Sequence, residues 1–128
     1  MLRISEAEAQ VMEAVWAAGP EGLAAADLLA VVGPAAGWRE TTVRTLIHRL
    51  ILKGALIASR GAGGGAVYAA RLSREAWVGQ ETRGLVDRLF GGQVAGLVAH
   101  LARERTVSPQ DRARLRRLLA ELDAEEDD

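Results

Sequence analysis

The sequence predicts a mostly α fold with one small β-hairpin, and three observations predict it. Apolar residues recur at helical spacing in several separate stretches, most clearly in Trp38–Leu56, where Val43, Leu46, Ile47 and Leu50 fall at i, i+3, i+4 and i+7. Between Leu56 and Arg71 the period shortens to that of a strand on either side of a glycine cluster. Stop and start signals (Gly19-Pro20, Gly33-Pro34, Gly54, Gly91-Gly92 and Ser108-Pro109) separate the stretches.

Taken in order, Ser5-Glu-Ala-Glu8 is a capping box that opens a first helix, with Val11, Met12, Val15 and Trp16 on its core face. A second helix is expected from about Ala24 to Val32, broken by Gly33-Pro-Ala-Ala-Gly37. The third runs from the Trp38 entry to Lys53 and stops at Gly54, a residue suited to a left-handed C-cap. Helix, short glycine-containing turn, helix is the helix-turn-helix layout, and the second helix of such a pair is the reader. Leu56–Arg60, the tip Gly61-Ala-Gly-Gly-Gly65 and Ala66–Arg71 then read as strand, turn, strand, a hairpin in the place of a wing. Gly61-Ala-Gly63-Gly-Gly-Ala66 also fits the spacing G-x-G-x-x-A, but a dinucleotide site needs a helix to begin there, and the residues after Ala66 alternate like a strand.

From Ser73 to Phe90 a long helix starts at a serine cap, weakened by Gly79 and Gly84 at ~1 kcal/mol each relative to Ala. A short helix covers Gln93–Arg103, and Ser108-Pro109 starts a last one. Leu85, Leu89, Phe90, Val94, Leu97, Val98, Leu101, Leu115, Leu118, Leu119 and Leu122 give these helices apolar faces with no globular partner of their own. That suggests a dimer interface, with packing back on the N-terminal part as the competing reading. The expected organisation is therefore a winged-helix domain over residues 1–72, a helical dimerisation domain over 73–122 and an acidic, disordered tail over 123–128.

The third helix carries the candidate site. Thr41, Thr45 and His48 point away from the apolar stripe, flanked by Arg44 and Arg49, with Glu40 the single acid at its start. Arginine reaches phosphates or guanine edges, and threonine reaches phosphates or the thymine methyl. The plain alternative is an ordinary surface helix.

The formal net charge is −1, yet the segment from Arg39 to Arg74 holds seven bases (Arg39, Arg44, Arg49, Lys53, Arg60, Arg71, Arg74) against Glu40, while acids gather at the two ends. Local charge decides phosphate contact, because the Debye length in physiological salt is only ~8 Å. A wing would bring Arg60 to the backbone as well.

The composition excludes several classes of chemistry. A chain of 128 residues, 49% apolar but only 4% aromatic and rich in alanine, buries little area per residue, and association would help it. With no cysteine there are no disulfides, thiolate metal sites or cysteine nucleophiles. His48 and His100 have no triad partners, and there is no metalloprotease or Walker pattern, so neither an enzyme nor a cofactor is expected. The N-terminus, opening with Arg3, Ser5, Glu6 and Glu8, does not read as a signal peptide, and no apolar run approaches a membrane span, so a cytoplasmic location without membrane insertion is expected.

With these pieces placed, the chain resembles the penicillinase-repressor family of BlaI/MecI type. The resemblance rests on Ile4-Ser-Glu-Ala-Glu8 with Val11-Met12 and Val15-Trp16, on Thr42-Val-Arg-Thr-Leu46 with Arg49-Leu50 and Lys53-Gly-Ala-Leu56, and on Tyr68, Leu89-Phe-Gly-Gly92 and Leu118-Leu119. It implies homodimers on palindromic DNA operators, one winged helix in each major groove, dimerised through intertwined C-terminal helices, and repression of resistance or stress genes. By matching position it implies that Thr42, Arg44, Thr45 and Arg49 face DNA.

Arg39 stands where family members usually have an N-capping serine. β-Lactam-responsive members are released through a membrane-coupled sensor and protease pathway, with cleavage at an Asn-Phe bond. Here the aligned pair is His100-Leu101, and that cleavage is not carried over. The C-terminal cysteines of copper-responsive relatives are absent.

The expected function is a homodimeric, sequence-specific repressor that contacts double-stranded DNA through Arg39, Thr41, Thr42, Arg44, Thr45, His48, Arg49 and Arg60. The rival is a winged-helix protein-interaction module without specific DNA binding.

Overall fold

The computed structural model describes residues 2–127. Their elements run α1 (Glu6–Ala18), β1 (Leu23–Ala24), α2 (Ala25–Ala36), α3 (Glu40–Lys53), β2 (Leu56–Arg60), β3 (Ala66–Ala70), α4 (Arg74–Phe90), α5 (Val94–Arg103) and α6 (Pro109–Glu126). They divide into two compact units, residues 1–81 and 82–128, with the division inside α4. No helix among the described residues is long and apolar enough to cross a membrane.

In the first unit α1, α2 and α3 enclose a core of Val11, Met12, Val15, Leu28, Val43 and Leu50, all completely buried. The capping box forms as the sequence predicts: Glu8 N–H donates to Ser5 Oγ at 3.1 Å, and Ser5 N–H donates to Glu8 Oε1 at 2.8 Å. Trp38 packs half-buried against this core, as an anchor at the entry to α3. Trp16 lies 5.4 Å from Trp77 and donates from its indole nitrogen to Leu72 O at 2.9 Å, fixing the start of α4 on α1.

The hairpin is present, and it is wider than expected. β2 and β3 pair antiparallel from Leu56↔Ala70 to Arg60↔Ala66, and β1 adds to β3 through Leu23↔Tyr68 and Ala24↔Val67, for a sheet order β1-β3-β2. Ala24, expected at the start of the second helix, therefore belongs to a strand with Leu23. A two-residue strand has no period to read, so only the tertiary pairing reveals it. Gly22 allows the approach: its φ is +87°, and a Cβ there would stand 2.5 Å from Tyr68 O.

The second helix also differs from expectation, starting at Ala25 and continuing through Gly33-Pro34 to Ala36. Proline disfavours α geometry in the residue before it mainly by clashing with that residue's Cβ and N–H; Gly33 has no Cβ, and Pro34 falls in the final turn, where few bonds remain to be lost. The helix stops at Gly37, in the left-handed conformation with φ +73°.

In the second unit, Gly91 and Gly92, both with positive φ, end α4, and Ser108 Oγ caps α6 by accepting from Asp111 N–H. Val86 is buried in this unit. The acidic end, expected to be disordered, is helical through Glu126. Leu, Ala and Glu are strong helix formers, and that propensity outweighs the unfavourable placing of acids at a helix C-terminus. Asp128 lies outside the described residues.

Candidate nucleic-acid interface

The site is built on α3, and its position is set by one stripe of burial. Val43, Leu46, Ile47 and Leu50 are all buried, so the helix has one possible orientation on the core. Thr41, Thr45 and His48 then occupy the outward line, with Arg44 on one flank and Thr42 and Arg49 on the other, and every one of them is exposed. Arg39 and Arg60 are exposed too. Gly54, at φ +82°, closes the helix, and Ala55 N–H returns to Leu50 O at 2.9 Å. At the other end Arg39 is the N-cap residue and supplies no side-chain hydrogen bond. The start of the helix is left without the side-chain acceptor that serine would give.

The wing stands beside the first turns of α3. Its tip closes through Gly61 N–H to Gly65 O (2.8 Å) and Gly64 N–H to Gly61 O (3.0 Å), and Gly64 takes a φ of +86° that a side chain would resist. A groove of about 770 Å³ runs between the start of α2, the wing tip and the Glu40–Arg44 edge of α3. His48, Arg44 and Ile51 meet Tyr68 of β3 in a smaller recess. Thr45 Oγ1 is turned back to donate to Thr41 O at 2.9 Å, leaving its methyl and the oxygen lone pairs for an incoming ligand.

The charge of the segment is redistributed by three ion pairs, two of them between residues far apart in sequence. Lys53 Nζ donates to Glu8 Oε1 at 2.6 Å and to Arg3 O at 2.9 Å. Arg74 pairs with Glu13 at 3.0 Å, and Arg44 with Glu40 at 2.8 Å. Of the seven bases counted along the chain, three are thus matched by acids. Arg39, Arg49, Arg60 and Arg71 have no acidic partner among the described residues. The unmatched positive charge is smaller than the sequence count.

Glu8 is almost fully buried. Burial alone raises its pKa, but the hydrogen bonds from Lys53 and from Ser5, backbone and hydroxyl, together with the Lys53 charge, outweigh it and hold the carboxyl below its ordinary 4.5. The sequence identifies Glu8 as a cap and gives no sign of this ion pair, because nothing local links residues so far apart. Glu40 reads there as a lone acid outside the site, although its i, i+4 spacing to Arg44 signals the pair.

The residues expected at a dimer contact lie on the helices of the second unit. Leu89, Val94, Leu118, Leu119 and Leu122 are exposed, as are, less fully, Leu85, Val98 and Leu101. Phe90, Leu97 and Leu115 are half-buried. None of the eleven is fully covered within the chain. His100 is exposed, 3.9 Å from Glu104 and stacked obliquely near Phe90.

Comparison with known proteins supports the winged-helix fold. The winged-helix part is similar to the solution structure of the DNA-binding domain of the repressor BlaI, with a TM-score of 0.51 and 27% identity, over 59% of this chain and 88% of that one. A 16.5 kDa protein of Latilactobacillus sakei, encoded 3′ of ptsI and itself uncharacterized, is 30% identical over 116 residues, spanning 91% of this chain and 77% of that protein. The family model described as penicillinase repressor matches residues 4–121, reaching through both units. The chain belongs to the penicillinase-repressor family.

Proposed function

We propose that the protein is a DNA-binding transcriptional repressor that acts as a homodimer on a palindromic operator. The observation that carries the reading is the outward face of α3, where Thr41, Thr45 and His48 lie exposed between Arg44 and Arg49 beside a glycine-tipped wing, in a chain of a repressor family. α3 enters the major groove, Arg39, Arg49 and Arg60 neutralise phosphates, and Thr41, Thr42, Thr45 and His48 contact backbone or base edges. The apolar faces of α4, α5 and α6 pair with those of a second copy. The DNA-binding role belongs to residues 1–72 and the dimerisation role to 73–122.

The test is fluorescence anisotropy on duplex DNA from upstream of the protein's own gene, against a scrambled duplex, between about 50 and 200 mM salt. A native fragment bound ~10³-fold tighter supports the reading. With four unmatched arginines in the Arg39–Arg74 segment of each protomer, log K should fall with log salt at a slope of about −7 for a dimer if all four meet phosphate. Failure to bind any duplex at low salt would overturn it in favour of a protein-interaction module.

A further inference from the structure

Arg44 and Glu40 stand one turn apart on α3, and the geometry of their contact is specific. Arg44 Nε and Nη2 both donate to the same carboxylate oxygen, Glu40 Oε1, at 3.1 and 2.8 Å. This occupies one edge of the guanidinium and leaves the Nη1–Nη2 edge as a free two-pronged donor. Both side chains are more than half exposed, at 57% and 64%. An exposed i, i+4 pair of this kind adds little to stability, so the fold does not require it. Glu40 is itself held in the first turn of the helix, where the positive end of the helix dipole favours an acid.

We propose that Glu40 and Arg44 form one base-reading unit, in which Glu40 positions the Arg44 guanidinium for guanine and turns it away from phosphate. This rests on the DNA-binding reading above. A phosphate approaching Arg44 meets the Glu40 carboxylate beside it, and a pair with no net charge releases few counterions. A guanine edge carries no such penalty. The free Nη1–Nη2 fork matches guanine O6 and N7, and Glu40 Oε2, which has no protein partner among the described residues, is an acceptor suited to a cytosine amino group. The position fits, since the N-terminal residues of a recognition helix are those that meet base edges. Arg44 is thereby separated in role from Arg49, which has no acid beside it. Glu40 is a specificity-determining residue, although it is the one acid in the positive segment.

The test uses the full chain and a duplex selected by the wild-type protein from a randomised pool. Each base pair of that duplex is then substituted in turn, and binding of the wild type, Arg44→Ala, Glu40→Ala and Glu40→Gln is measured by anisotropy across salt concentrations. Arg44→Ala should lose the preference for guanine at one base pair per half-site, a loss of ~5- to 150-fold, with the salt slope almost unchanged. Glu40→Ala should weaken the same preference while binding of scrambled duplex tightens, with a slope steeper by about one per protomer as Arg44 turns to phosphate. Glu40→Gln, which keeps an acceptor oxygen, should restore part of the preference. Unaltered base preference in Glu40→Ala, or an Arg44→Ala variant that flattens the slope by about one per protomer without changing base preference, overturns the unit alone. A wild type that selects no duplex overturns the DNA-binding reading and the unit with it. Both residues are exposed, and thermal melts by circular dichroism establish that each variant folds.

Discussion

Replacing Lys53 by Met removes the counter-charge of Glu8 while keeping the aliphatic stem, and the consequence depends on pH in a way that isolates the pair. Glu8 is 2% exposed, and Lys53 lies 2.6 Å from it with its side chain 38% exposed. Breaking a buried pair from one side costs about 3–5 kcal/mol. The partial exposure of Lys53 and the surviving hydrogen bonds from Ser5 reduce this to about 2–3 kcal/mol near pH 7, or a fall in Tm of roughly 10 °C or more.

In the wild type the folded-state pKa of Glu8 lies below its ordinary 4.5, so the carboxylate contributes stability that is full above that value and is lost as pH falls through the folded-state value. In Lys53→Met the burial remains while the leading opposing contacts are gone. The pKa then rises, and protonation of Glu8 relieves the variant on acidification. The deficit of the variant should therefore shrink by about 1 kcal/mol or more between pH 7 and pH 4. The double variant Glu8→Gln/Lys53→Met, which retains the capping box, should be more stable than Lys53→Met alone at pH 7. Urea denaturation monitored by tryptophan fluorescence reads the right unit, because Trp16, Trp38 and Trp77 all lie within residues 1–81. A deficit equal at both pH values, or additive effects in the double variant, would refute the reasoning.

Two further outcomes are expected. Gly22→Ala combines a positive φ with a Cβ 2.5 Å from Tyr68 O, so it should destabilise the first unit by about 2 kcal/mol or more by forcing β1 off β3; a loss below about 0.5 kcal/mol in urea titrations would contradict the close approach. If α6 forms part of the proposed homodimer contact, Leu119→Glu, on a side chain that is 60% exposed, should leave the fluorescence-detected melt of the first unit in place and weaken self-association by about 100-fold in analytical ultracentrifugation. Unchanged association would remove α6 from the dimer contact.

The elements whose information is local are legible in the sequence. The α3 stripe of Val43, Leu46, Ile47 and Leu50 is buried as its spacing predicts, the Ser5–Glu8 and Ser108 caps form, and the glycine-tipped hairpin comes directly after Gly54. Burial of one stripe leaves the opposite face outward, and so Thr41, Arg44, Thr45, His48 and Arg49 are readable as an exposed set from their spacing alone. The sequence misleads where local signals conflict: Pro34 marks an end to α2, yet a preceding glycine lets the helix run on to Ala36.

Periodicity, capping and turn chemistry act within a few residues, so the sequence by itself determined the helices, the wing and the outward face of α3. Only the tertiary structure decided which bases remain free. Lys53 meets Glu8 across 45 residues and Arg74 meets Glu13 across 61, so two of the segment's seven bases are matched by chain-distant acids on α1. The strand Leu23–Ala24 belongs to the same class: two residues carry no pattern, and β3 alone makes them a strand. Pairing of charges and strands depends on distance in space, which the fold fixes once the local elements have packed.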